Sequence, residues 1–562
     1  MARDPGEGEA FVFDLVDDDG DVPTSPLGPD AGAEGDVDGV GPDGAGLEAG
    51  GPLPHGALGL RLRALAPVAA VLAVVLGTGF AVDSMRDAAR TERIREVPGG
   101  VVDVSAPLEE AWAWEAPMDA ADAMGWFGVA DLEGMLAFRS EQELIGLDPA
   151  SGERAWSVRL REDSECGPLG YPGGTGLATS VLVCVQDAGA AREAFTVGPD
   201  GVASEPRALD TADDRRYGRA RPGPDGMVLR AKRIGLESAI DVGDARCTET
   251  TGECSGTVEA GRDLQLRAED ATTGEERWSV TIPFRATAAQ QCNPWFGEPW
   301  NGWEDVPADE ALAPDVFGAY FGTGLIDLWG CGTAAAVTTG GALVRVHEEA
   351  GPATVLSLGT ARHAGQATTM AVIESGGPPR TILFGPDGDV VREIPGSASV
   401  PQTTDEGEAL TLLVSDESGY GLRSYAATDG AERWNVDSAG SSSGFLAQVA
   451  GIAVTATWTG SVRGFDLATG AEQWSWDIGE VEGSSSYGSE YAVQAFTDGR
   501  FVLLVLQGGD GTMGLASLDA TSGELVWDGR PAGDENLPPG AMLLAVGGRL
   551  VAMTSEGISG LG

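Results

Sequence analysis

A nine-residue pattern recurs along this chain: an Asp, three residues, a Gly, three residues, a Trp. It reads Asp148–Gly152–Trp156, Asp270–Gly274–Trp278, Asp466–Gly470–Trp474 and Asp519–Gly523–Trp527, and a fifth copy keeps Gly430 and Trp434 with Ala426 in the Asp position. Short apolar runs such as Leu144–Leu147 and Val462–Phe465 lead into the copies. A strand entering Asp-x-x-x-Gly, followed by a second strand carrying Trp, is a hairpin whose turn needs a positive φ at the Gly. Repeating one hairpin every 30 to 50 residues, roughly, predicts a β-propeller or β-solenoid, because each unit buries its apolar face only against its neighbours.

The copies Leu518–Trp527 and Phe465–Trp474 resemble the pyrroloquinoline-quinone-type propeller repeat. That family includes quinoprotein alcohol dehydrogenases and non-catalytic relatives such as the outer-membrane assembly lipoprotein of Gram-negative bacteria. The resemblance covers residues 107–562 and points to the membrane-anchored, non-catalytic branch. It implies an all-β fold of four-stranded antiparallel blades, eight in the family, while the segments of this chain allow seven to nine. It also implies that Trp156, Trp278, Trp434, Trp474 and Trp527 are structural, each docking between neighbouring blades, where a large flat ring buries much apolar area.

Degenerate repeats fill the intervals. Phe195–Gly201 and Ile382–Gly388 read as strand-to-turn transitions without the Trp, and Ala335–Val346 reads as two strands joined at a Gly pair. At the C-terminus, Met542–Met553 is a pair of strands with no Trp strand after it. Glu110–Glu115, carrying Trp112 and Trp114, supplies the missing strand from the front of the domain and closes the ring, which removes open sheet edges.

The formal charge is −52, and 34 Arg stand against one Lys, Lys232. So acidic a chain is a poor partner for nucleic acid or an anionic membrane surface. Residues 1–57 hold fourteen acidic residues and one basic residue, Arg3; such a stretch buries no core and is expected to be a disordered cytoplasmic tail. Within it, Phe11–Asp19 sets an apolar patch against an acid run, a short linear motif for a cytoplasmic partner or a chance cluster. Ala64–Val82 carries no charge over 19 residues, close to the ~20 that a bilayer requires. Nearly sixty residues precede it, so 58–82 reads as an uncleaved signal-anchor helix, with 83–106 a juxtamembrane linker and 107–562 the propeller.

All six cysteines follow the apolar segment. An even set on one side of a membrane suggests disulfides in an oxidising compartment, so the N-terminus is expected inside and the propeller outside. Six cysteines allow fifteen connectivities; the simplest joins neighbours, Cys166 with Cys184, Cys247 with Cys254 and Cys292 with Cys331. Zinc is the rival, but no Cys-x-x-Cys pair occurs and only His347 and His363 lie nearby.

A quinoprotein dehydrogenase of the resembled family would hold quinone and Ca²⁺ in its central funnel, with a catalytic Asp and, commonly, a disulfide between adjacent cysteines. No two cysteines here are adjacent, and no acid matches the catalytic or calcium-binding motifs. No catalytic residue, metal ligand or cofactor is therefore expected; PQQ and calcium enter only under the alternative of a quinoprotein dehydrogenase. The repeated Asp is read as hydrogen-bonding its own turn. One segment departs from the repeat: Trp295, Phe296, Trp300 and Trp303 follow Cys292 among Pro and Gly. These rings form either a recognition loop or a cap folded onto the sheet below. The expected function is a non-catalytic binding or scaffolding module of the cell envelope, with a protein or glycan partner. A third reading is a transmembrane sensor that couples the propeller to the tail.

Overall fold

The computed structural model describes residues 92–562 apart from short gaps and the longer segments 116–127, 170–177, 249–252, 294–311, 347–352, 358–369, 375–378, 406–409, 481–490 and 530–540. Residues 1–91, and with them the tail and the expected span at 58–82, lie outside it. Among the described residues no helix is long and apolar enough to cross a membrane.

Nine four-stranded antiparallel sheets occur among the described residues. They span residues 129–159, 165–209, 220–282, 317–346, 353–395, 397–436, 442–477, 491–529 and 542–561, and are numbered 1 to 9 in that order. The count is one above the eight that the resemblance implies and stands at the upper bound of seven to nine. Sheet 9 takes its fourth strand from Glu110–Glu115, which pairs antiparallel with Gly557–Leu561, as the front-strand closure requires. Two short parallel strands, Ala178–Thr179 and Thr403–Thr404, are added to sheets 1 and 7.

Burial follows the order of strands within each sheet. The second strand is apolar at nearly every position, as in Leu182–Asp187 and Phe501–Gln507. The fourth alternates exposed residues with partly buried ones, as in Arg154–Arg159 and Glu276–Ile282. A run without alternation is covered on both faces, whereas alternation marks a strand with one wet side. The fourth strand is thus outermost.

Nine apolar clusters join the sheets in cyclic order. They link 1 to 2, 2 to 3 and so on to 8 and 9. The last joins Leu136 and Ile145 of sheet 1 to Leu544 and Val551 of sheet 9. This cyclic burial is the signature of a β-propeller, in which each sheet covers the apolar faces of its two neighbours.

Because consecutive strands run antiparallel, the connections alternate between two faces. Turns between strands one and two, and three and four, share one face, here the turn face. Connections between strands two and three, and from sheet to sheet, share the other, here the link face. The boundary expected at 107 needs correction. Val97, Val101 and Val104, assigned to a linker, are buried. Val101 donates its amide to the Thr497 carbonyl (2.8 Å) and Val102 to Gly548 (2.9 Å). The apolar side chains of this segment fill the gap left where sheet 9 has no hairpin between its third and fourth strands.

Candidate protein-binding face

The repeated motif builds the seams. Asp466 accepts hydrogen bonds from the amides of Ala468 and Thr469 and from the Thr469 hydroxyl. The Thr469 hydroxyl and amide hold this carboxylate below its usual range. Asp148, Asp270 and Asp519 bind their own turns in the same way. In the four blades that carry the whole motif, these acids are therefore occupied by their turns.

Each motif Trp then reaches across to the next sheet or, for Trp527, to the segment around Val104 packed against sheets 8 and 9. Trp434 Nε1 donates to the Leu467 carbonyl (2.8 Å) and Trp474 Nε1 to Ala520 (3.0 Å). Trp156, Trp278 and Trp527 donate to Pro199, Thr339 and Val104. Trp434 and Trp474 are buried, while Trp156, Trp278 and Trp527 are half-buried. Trp112, on the closing strand, donates to Pro149 (3.1 Å) and serves the last seam. The turn Gly meets a second demand beyond its positive φ: a Cβ on Gly523 would stand 2.4 Å from Trp474 Cδ2.

Sheet 2 has no Trp at this position and uses Arg207. Its Nε donates to the Ala271 carbonyl (2.9 Å), one residue past the turn Asp, just as Trp474 bonds one residue past Asp519. The guanidinium also pairs with Glu269 (3.1 Å), which pairs with the fully buried Arg230 (3.3 Å). Arg230 in turn binds Asp214 on the helix Thr211–Tyr217 and the Gly218 carbonyl.

Sheet 3 carries the largest departure from the repeat. Residues 235–262, between its second and third strands, and the connection that begins at residue 283 both leave on the link face. Thr257–Val258 of the first pairs with Thr287–Ala288 of the second, so the two insertions form one module. Cys247 and Cys254 sit directly opposite each other in a small hairpin and are bonded. Cys292 is joined to Cys331, in the link between the second and third strands of sheet 4. The remaining pair, Cys166–Cys184, bridges adjacent strands of sheet 2. Val258, Cys292, Ala313, Val316 and Cys331 form a tenth apolar cluster, separate from the nine seams.

Arg233 supports this module from below. It is buried and donates to the carbonyls of Arg262 (3.0 Å), Val316 (3.4 Å) and Cys331 (2.6 Å). Its guanidinium lies 5.9 Å from the Phe284 ring and 5.7 Å from Phe317. Burial lowers its pKa to about 10. Trp295, Phe296, Trp300 and Trp303 lie outside the described residues. Their flanks are tied together, since the Ala313 amide donates to the Cys292 carbonyl (2.8 Å).

Further apolar groups on the link face were not anticipated from the sequence. Leu236 is 75% exposed at the start of the sheet 3 insertion. Tyr420 (60%) and Trp458 (62%) lie between the second and third strands of sheets 6 and 7. Of the ten described tryptophans, Trp458 is the exposed one; the others are buried or half-buried. The signal was available: Trp458 stands in the link Thr457–Gly460, out of phase with the motif Trp474 of the same sheet, where no strand can cover it.

The six cysteines are used in bridges between non-adjacent residues. Among the described residues no three His, Cys, Asp or Glu side chains converge.

The family model PQQ_2, described as outer membrane protein assembly factor BamB, matches residues 381–561, which supports a PQQ-type propeller family. No curated protein matches the chain in sequence. Among solved structures, BamB from Moraxella catarrhalis is 15% identical, with 81% of this chain and 99% of that one covered and a TM-score of 0.34. The computationally designed protein Ika8 is 10% identical, covers 74% and 98%, and has a TM-score of 0.29. The dihydro-heme d1 dehydrogenase NirN is 13% identical, covers 76% and 78%, and has a TM-score of 0.29.

Proposed function

We propose that this chain is a membrane-anchored, extracytoplasmic propeller that binds a protein partner on its link face and performs no chemistry of its own. One observation carries the reading. The departures from the repeat are concentrated on one face: both insertions of sheet 3, two of the three disulfides, and the exposed Leu236, Tyr420 and Trp458. A repeat scaffold that elaborates one face uses it for recognition, since the opposite turns are held to the motif by the seams. The matching family description, an outer membrane assembly factor, supports a protein partner rather than a small substrate. The reading takes the nine sheets as nine blades. Its anchor rests on the uncharged segment Ala64–Val82, and its orientation on cysteines confined to one side of that segment.

Two positions separate the faces experimentally. A photo-crosslinking residue at Leu236 reports the link face, and one at Val202, 65% exposed between the third and fourth strands of sheet 2, reports the turn face. A discrete envelope protein should crosslink from position 236 and not from 202; the opposite result overturns the assignment. Dye-linked alcohol oxidation after reconstitution with quinone and Ca²⁺ would overturn the non-catalytic reading.

A further inference from the structure

The link face of sheets 6 and 7 differs from that of sheet 3: it has no disulfide module, yet it carries the exposed Trp458 and Tyr420. A tryptophan ring in water leaves apolar area uncovered, so a partner that covers it gains that area. The two rings belong to a connected surface. The Tyr420 carbonyl accepts from the Ala439 amide (2.8 Å), and the Ala439 carbonyl accepts from Arg463 (3.1 Å) on the strand that follows Trp458. Gly460, two residues past Trp458, accepts from the Ile478 amide (2.9 Å).

Among the described acids of these sheets, Asp416, Asp437 and Asp477 stand at link-face ends of strands, whereas Asp405, Asp429, Glu432, Asp466 and Glu472 stand toward the turn face. Asp477 ends the fourth strand of sheet 7 and Asp437 follows that of sheet 6, both exposed on the link face that also carries the two rings. Arg463 donates to the Ala439 carbonyl and pairs with Glu472, and Arg423 donates to Tyr425.

We propose that Trp458 and Tyr420, with Asp437 and Asp477, receive an arginine- or lysine-bearing segment of another protein. An aromatic face attracts a cation through its quadrupole, and adjacent carboxylates reinforce the attraction while disfavouring acidic or neutral partners. The inference rests on the link-face reading above and adds the chemistry of the partner.

The full-length protein in detergent is titrated calorimetrically, at physiological salt, with an arginine-bearing Gly/Ser peptide. The same peptide with citrulline in place of arginine and a chitin oligosaccharide serve as the neutral and glycan arms. Trp458→Ala should weaken the arginine peptide about tenfold, and Trp458→Phe should restore part of it. Asp437→Asn with Asp477→Asn should weaken it by a similar factor, whereas Glu153→Gln with Glu524→Gln, on the turn face, should not. An unchanged unfolding midpoint shows that the variants fold. Equal losses from the two acid pairs, or no loss from Trp458→Ala, would mean diffuse attraction to an acidic protein and overturn the proposal. Tighter binding of the citrulline peptide or of the oligosaccharide overturns it in favour of another ligand. Crosslinking from position 236 with an inert Trp458 rejects this inference and keeps the link face; crosslinking from position 202 rejects the face itself.

Discussion

The seam between sheets 7 and 8 and the seam between sheets 2 and 3 solve one problem with opposite chemistry. At the first, Trp474 lies among Leu446, Val454, Leu504 and Leu518 and makes a single cross-sheet hydrogen bond. Its stability comes from apolar area, and one residue suffices. At the second, Arg207 makes the equivalent hydrogen bond but brings a charge into the interior. Glu269 is needed for Arg207, Arg230 shares Glu269, and Asp214 completes the chain. Arg230 Nη2 still lacks a hydrogen bond. The indole seam is self-sufficient, whereas the guanidinium seam is a set of interdependent parts whose net worth is small although each part is costly to remove.

The largest effects test both halves of that contrast. Trp474→Ala should cost about 3–5 kcal/mol in denaturant unfolding, as for other large buried rings. Glu269→Ala should cost a similar amount, about 3–5 kcal/mol, because it strands buried charge. A near-neutral Glu269→Ala would break the comparison. Replacing the set together, as Arg207→Trp, Glu269→Leu and Arg230→Met, should be neutral or stabilising by about 1–4 kcal/mol. A large loss there would show that the charges contribute more than their substitutes can.

The seam between sheets 4 and 5 offers an intermediate case. Asp327 sits on the same strand face as Leu325, and burial pushes its pKa up to about 6 against the hydrogen bond from the Leu328 amide. A folded pKa above the unfolded value of 3.8 favours the native state below that value, and the benefit is lost as pH rises through about 6. Asp327→Asn should therefore gain roughly 1–2 kcal/mol at neutral pH and nothing below pH 4, seen as a flattened stability profile. The smallest effect belongs to the turns. Asp519→Ala should lose about 1 kcal/mol, and Ala426→Asp should recover part of that at sheet 6. Equal midpoints for both variants and the parent would remove the turn Asp from the energetics.

Much of the fold was legible because the motif states its own geometry. Asp466 to Trp474 names a strand end, a turn and a seam contact in nine residues, and Glu110–Glu115 was identifiable as the closing strand because the final hairpin lacked one. The count was less legible. Sheet 2 has no Trp, and Arg207 does not announce itself as an indole substitute; its role appears only when Ala271 and Gly274 are placed beneath it. The segment 83–106 read as a juxtamembrane linker, yet its Val101 and Val104 are held by a space that other residues define. The module of sheet 3 was visible in its cysteines, which the structure joins as neighbours. Trp458 was missed because attention to the repeat favours residues in phase with it.

The closing strand imposes an order in time. Glu110–Glu115 is made early, and its partner Gly557–Leu561 belongs to the last sheet to be synthesised. Until residues 557–561 emerge, the growing arc ends in two uncovered apolar sheet faces, one at the first sheet and one at the newest, both prone to non-native contacts. A nascent chain truncated before residue 557 can complete eight of the nine sheets and still lack the ninth's last hydrogen bonds. The strand 110–115 must therefore stay available until residues 557–561 reach it, so closure of the ring couples the first strand of the domain to the last sheet.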